Sequence, residues 1–207
     1  MPSRLARLAQ GAPVREPAPA PAEQCDMCAA PVAPGHRHVV DLTSRRIMCV
    51  CRACGLLFDS DAAGGGHLRL LPTRRRRLDD FVLDAAQWDR LRIPVDMAFF
   101  FRSTAAERVV ALYPSPAGPT ESLLELEAWT ELEAANPVLG EMEPDVEALL
   151  VCRARDMREH WLVPIDDCYE LVGLIRTRWR GFGGGTEVWE AIDGFFDDLP
   201  TRESTRW

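Results

Sequence analysis

Two cysteine pairs, Cys25-Asp26-Met27-Cys28 and Cys51-Arg52-Ala53-Cys54, stand 22 residues apart. A C-x2-C turn brings two sulfurs to one side of an ion, and its backbone amides can point at those sulfurs and soften their charge. A second such turn from a neighbouring loop closes a tetrahedron of four thiolates, each about 2.3 Å from zinc. Cys25, Cys28, Cys51 and Cys54 are therefore the predicted metal ligands. Gly55 follows Cys54 directly and is predicted to supply a positive-φ turn. Tetrahedral S4 suits iron as well as zinc, so a rubredoxin-like centre is the alternative. The lack of aromatic residues between Cys25 and Leu57 favours zinc.

Three other residues lie close enough in sequence to take part. Cys49 shares a strand face with Cys51 by alternation and is expected to pack beside the site. His36 and His38 read as strand histidines near the metal with one side in water, or as auxiliary ligands in a mixed or transient nickel or zinc site.

These residues need a frame. Pro31, Pro34 and Gly35 exclude a helix after the first pair. His36–Asp41 and Arg45–Cys51 then read as two short strands joined by Leu42-Thr43-Ser44, the knuckle, hairpin, knuckle order of a zinc ribbon. His67–Leu71 is either a third ribbon strand or the start of the next unit, after a glycine joint at Gly64-Gly65-Gly66. The predicted organisation is a Pro/Ala-rich tail over 1–22, a metal module over 23–72, and an α+β domain of hairpins and amphipathic helices over 73–207.

In that last part, Asp84 is placed to cap a helix through about Leu91. Met97–Arg102 is an apolar run typical of a buried strand, with Arg108–Tyr113 returning as its partner. Pro114–Pro119 reads as a rigid loop and a candidate recognition edge. Leu126, Trp129 and Leu132 mark a helix closed by Pro137 and Gly140. Val146–Arg153 and His160–Ile165 form a second predicted hairpin. Asp166 is expected to cap a helix ended by Gly181, and Thr186 to cap a last helix bounded by Pro200.

Composition bounds the function. All 24 basic residues are arginine, which excludes Schiff-base and P-loop lysine chemistry. Residues 1–120 carry 16 arginines against 12 acids, and residues 121–207 carry 8 against 20. An acidic second half argues against broad nucleic-acid binding. Seven cysteines, most of them gathered at the metal site, fit a reducing compartment. No apolar run reaches signal-peptide or membrane-spanning length, so the expected location is the cytoplasm. Arg74–Arg77 is either a docking patch or, the preferred reading, a solvated turn between modules.

Catalytic groups are hard to find. Cys168 and His160 lie eight residues apart and can be paired on paper as nucleophile and base, but Asp166 and Asp167 beside Cys168 oppose thiolate formation, and packing explains it better. Cys152 reads as a core residue. Asp166 with Asp167, and Glu141 with Glu143, read as caps and solvated faces. Gly181–Gly185 follows a helix instead of a strand, which makes it a helix stop and not a phosphate loop.

The phrases Ile93-Pro94-Val95, Ala98-Phe99-Phe100-Phe101, Tyr113-Pro114-Ser115-Pro116-Ala117-Gly118, Leu162-Val163-Pro164-Ile165-Asp166 and Cys168-Tyr169-Glu170-Leu171-Val172-Gly173, with the cysteine pairs and His36-Arg37-His38-Val39-Val40-Asp41, resemble an actinobacterial domain family of unknown function. The resemblance covers about residues 23–200. It implies a setting beside nickel–iron hydrogenase structural and maturation genes, hence a role in assembly, regulation or electron flow with a hydrogenase subunit or maturation factor as partner. It implies no catalytic residue. Together these readings predict a non-enzymatic accessory protein with structural zinc.

Overall fold

The computed structural model describes residues 23–58, 66–181 and 183–202. The tail over 1–22, Gly64 and Gly65 of the joint, Phe182 and the side chain of Leu126 lie outside them. The chain is α+β, built on two antiparallel sheets.

The first sheet is the ribbon. Strands β1 (Arg37–Asp41) and β2 (Arg46–Val50) form the predicted hairpin, and β3 (Leu68–Leu70) pairs with the other edge of β1, giving the order β2-β1-β3. A one-and-a-half-turn helix, α1 (Arg52–Leu57), follows β2 directly. Side chains alternate along a strand, so the two ribbon faces have separate fates. Val39 and Val50 turn to one face and pack with Cys25. Val40 turns to the other and joins the core of the larger sheet, with Leu42 and Ile47 against it.

The second sheet has six strands in the order β4-β9-β8-β5-β6-β7: β4 (Arg76–Arg77), β5 (Met97–Ser103), β6 (Arg108–Ser115), β7 (Gly118–Ser122), β8 (Glu147–Cys152) and β9 (Glu159–Pro164). It is covered on both faces, which is why its central strands are near-continuous apolar runs rather than alternating ones. Phe99, Phe101 and Leu150 point to a layer made by helices α4 (Ile165–Arg178) and α5 (Thr186–Asp198), and the ribbon packs on this face too. Ala98, Phe100 and Leu149 point to the opposite layer, made by α2 (Ala85–Arg90), α3 (Leu126–Ala135) and the 3-10 turn Pro137–Glu141. Among the described residues, no helix is long and apolar enough to cross a membrane.

Several local expectations change. Asp84 does cap α2, in a full capping box with Gln87. Asp166 does not cap α4: the N-cap is Pro164, and Asp166 lies inside the first turn. Thr186 is likewise the first residue of α5, after Gly185 at φ 78°. Pro114–Pro119 is not a loop. β6 runs on to Ser115 and β7 returns from Gly118, with Pro114 opposite Pro119. Pro119 is tolerated because β7 is the sheet edge, and Pro114 because it lies beyond the pairing of β6 with β5, which stops at Leu112.

Arg74–Arg77 is neither a solvated turn nor a free basic patch. Arg74 donates to the buried Glu147 carboxylate and Arg75 makes a two-pronged pair with buried Asp167, at 2.6 and 2.9 Å. Arg76 reaches Glu141 and Arg77 reaches Glu159 and Asp79. The run is the seam where the chain leaves the ribbon and enters the larger sheet, neutralised residue by residue.

Candidate metal centre

The first knuckle is strapped along the free edge of β2. Asp26 N donates to Cys49 O at 2.8 Å, and Cys49 N returns a bond to Asp26 Oδ2 at 2.7 Å. The turn closes through Ala29 N to Cys25 O and Cys25 N to Ala30 O, both 2.8 Å. The second knuckle forms because β2 ends at Val50. Cys51 becomes the N-cap of α1, and its carbonyl accepts from Gly55 N. Gly55 is a helical residue and lacks the positive φ expected of it. The left-handed residue is Ala29 in the first knuckle, at φ 59°.

These two turns bring Cys25, Cys28, Cys51 and Cys54 together, with their four sulfurs within 4.8 Å of one another. Cys28 Sγ and Cys51 Sγ are 3.7 Å apart. That is far beyond the ~2.05 Å of a disulfide. It matches the ~3.8 Å edge of a tetrahedron whose metal–sulfur bonds are ~2.3 Å. All seven cysteines are free thiols. The donor set therefore fits one metal ion.

The thiols are not equivalent. Burial pushes Cys25 up, but backbone N–H groups at Cys51, Met27 and Cys28 outweigh it and bring its pKa down to about 6. Burial and the neighbouring sulfurs push Cys54 up to about 12. One sulfur is thus ready as a thiolate at neutral pH, and a cation at the cluster would hold the other thiols in their charged form.

Cys49 does not join this set. On a regular strand it would share a face with Cys51, but Cys51 has already left the strand. Cys49 instead faces the other side of the ribbon, where it forms a second group with His36 and His38. His38 Nδ1 is 2.7 Å from Asp166 Oδ2 at the start of α4. Burial works against the charge on His38, yet Asp166 outweighs it and the net shift is upward. No local sequence signal could reveal that partner, 128 residues away; the His-x-His spacing on a strand was the visible half.

The remaining candidates are dispersed. Cys168 is fully buried against α5 and the sheet, and burial drives its thiol well above the ordinary range. His160 stacks on Phe81 and makes no hydrogen bond to Cys168. Burial lowers its pKa to about 4, helped by Arg153, Arg158 and Arg77. Cys152 is a core residue whose thiol is raised to about 12, chiefly by burial. Asp167 and Glu143 are paired with Arg75 and Arg69, and Glu141 with Arg76.

Fold and site together define an α+β protein carrying a zinc-ribbon-like pair of cysteine knuckles. The chain belongs to the family of unknown function DUF5947, whose model matches residues 24–203. No curated protein and no solved structure matches the chain.

Proposed function

We propose that Cys25, Cys28, Cys51 and Cys54 hold one structural zinc ion, and that the protein is a non-enzymatic accessory factor acting through protein–protein contact. The carrying observation is the closed set of four sulfurs, with the Cys28–Cys51 separation of 3.7 Å matching a tetrahedral edge. Zinc would supply no reaction here: with all four positions taken by protein, it cross-links the two knuckles. On this reading residues 23–72 are the metal module and residues 73–207 the body that carries it. Free thiols throughout support a reducing compartment such as the cytoplasm.

A contact surface is supported by apolar residues left exposed at both knuckles, Met27 in the first and Leu56 and Leu57 on the helix that carries Cys54. The sequence resemblance suggests the partner, a hydrogenase subunit or maturation factor.

The test is elemental analysis with a visible spectrum on protein purified without a metal-affinity tag. One zinc per chain that survives dialysis against a mild chelator, with no colour, is expected; Cys54→Ser should lose it. Unchanged metal content in that variant overturns the assignment. Leu57→Asp should abolish co-purification with the hydrogenase factor while leaving the zinc in place.

One observation favours a second reading, an iron-bearing electron carrier: Cys28 lies at the surface, where a ligand sulfur gives electrons a short exit. One iron and a red, reducible chromophore would establish it in place of zinc.

A further inference from the structure

We propose that His36, His38 and Cys49 form a second metal site, separate from the four-cysteine centre, which takes an exchangeable late transition-metal dication and leaves a fourth coordination position open.

The site follows from the register of the ribbon. His38 lies directly opposite Cys49 across the β1–β2 ladder. His36 is two residues earlier, so alternation sends it to the same side. Val39 and Val50, the residues that follow His38 and Cys49, go to the opposite side with Cys25. The two donor groups therefore occupy opposite faces of one small sheet. A ring nitrogen of each histidine and Cys49 Sγ lie within 4.8 Å of one another, and the two rings meet edge to face at 4.8 Å.

The hydrogen bonds select which nitrogens are available. His36 Nδ1 is 3.0 Å from Ala33 O, a carbonyl that can only accept, so this nitrogen carries the proton and donates. Glu23 Oε2 lies 3.7 Å from the same nitrogen. His36 Nε2 is then an unprotonated lone pair. It is buried, has no hydrogen-bond partner, and belongs to a side chain only 8% exposed. A buried acceptor without a partner is costly in a protein interior. A metal ion at that nitrogen removes the deficit.

His38 shows the same division: Nδ1 faces Asp166, which leaves Nε2 for an ion. Metal-binding histidines characteristically give their second nitrogen to a carbonyl or a carboxylate, which fixes the tautomer and raises ligand basicity. This pair has one of each. Two imidazoles and a thiolate suit zinc, cobalt, nickel or copper, and exclude calcium and magnesium. Three protein ligands with an open fourth position describe a site that exchanges its ion or presents it, unlike the closed four-sulfur centre.

The two histidines, though not Cys49, border an open cleft. A cleft of about 430 Å³ is lined by His36, His38, Asp166, Arg75 and Glu170 among others. Asp166 belongs to the helix layer of the larger sheet, so an ion on His38 would also tighten the ribbon against that body.

The test uses full-length protein that has been dialysed against a mild chelator and so keeps only its tightly held metal. Cobalt(II) is added and followed by its visible bands. One further cobalt per chain is expected, with tetrahedral bands and a sulfur-to-cobalt charge-transfer band. His38→Gln should remove it, and Cys49→Ser should abolish the charge-transfer band. Asp166→Asn keeps the helix and the shape, and should weaken cobalt about 10–100-fold. Circular dichroism checks that each variant is folded, and the chelator-resistant metal should be the same in all. Cobalt binding unaffected by His38→Gln, Cys49→Ser and Asp166→Asn, or no cobalt taken up by the parent protein, overturns the proposal whatever the four-cysteine centre holds.

Discussion

The ribbon and the six-stranded body solve the same problem with different means. The body buries aromatic and aliphatic side chains on both faces of its sheet, with Phe99 and Phe100 almost wholly inaccessible on opposite sides. On the outer face of the ribbon the fully buried apolar residues are Cys25, Val39 and Val50. At roughly 1.5–3 kcal/mol per buried aliphatic side chain, that cluster does not offset the backbone entropy of ordering some forty residues. The ribbon's inner face is laid on the body through Val40, Leu42 and Ile47, and the proposed cation among its four sulfurs would be a second support. A small module can thus hold its shape by coordination and docking where a larger one does so by burial.

The strongest way to break this contrast is to remove the metal. Structural zinc contributes on the order of 10 kcal/mol to the small domains that depend on it. Strong chelation should therefore collapse hydrogen-exchange protection at Val39, Val40 and Val50 while Ala98–Phe101 in β5 stay protected. Protection retained in both regions would show that docking alone holds the ribbon.

Next in size is the converse perturbation. Phe100 is fully buried, stacks on Trp129 at 5.5 Å between centroids and meets Trp88 edge-on. Phe100→Ala should cost about 4 kcal/mol through lost transfer energy and a residual cavity. Thermal unfolding followed by tryptophan fluorescence should shift strongly, and the chelator-resistant metal content should not change.

What could be read from the sequence divides along the same line. Local spacing announced the cysteine knuckles, the three hairpin pairings of β1–β2, β5–β6 and β8–β9, and the Asp84 cap, because each is decided by residues close in the chain. Long-range contacts escaped. Four consecutive arginines looked like a solvated run because, apart from Asp79 beside Arg77, their acids lie 65 to 92 residues away. Asp166 looked like a cap because aspartate ahead of a helix favours that position, yet it reaches across to His38. Cys49 was drawn toward Cys51 by strict alternation, which fails where β2 ends. The β7 strand was hidden by Pro119, which an edge strand tolerates, and by Pro114 opposite it at the end of β6.

The seam between the regions gives a smaller effect. Asp167 is buried and held by Arg75 and by Arg202, the latter at 3.1 Å. Removing one partner of a buried pair leaves charge poorly compensated. Because Arg202 remains, Arg75→Met should cost about 2–3 kcal/mol, read as a lowered denaturant midpoint. It should also loosen the ribbon more than the sheet, since Arg75 lies where the chain passes from one to the other. Equal loss of protection in both would mean that the pair supports the whole fold and not the seam in particular.

The smallest expected effect separates the regions by pH. His160 on β9 is kept neutral down to about pH 4 by burial and by three nearby arginines. In the unfolded chain it takes a proton below about 6.5. Between those values the unfolded state binds more protons than the folded state, so stability rises with pH and falls as the solution is acidified from about 6.5 to about 4. Above 6.5 this residue contributes no pH dependence. His160 is partly exposed, and after allowance for solvent screening the contribution is on the order of 1 kcal/mol. His160→Gln removes the titration and should flatten that part of the stability profile of the body, measured as denaturant midpoint against pH. It should leave acid release of the ribbon metal where it was, because that release is set by thiolates on the other side of the molecule. A profile that keeps its slope in the variant would place the acid sensitivity of the body elsewhere, and a simultaneous shift in metal release would show that the two regions respond to acid as one.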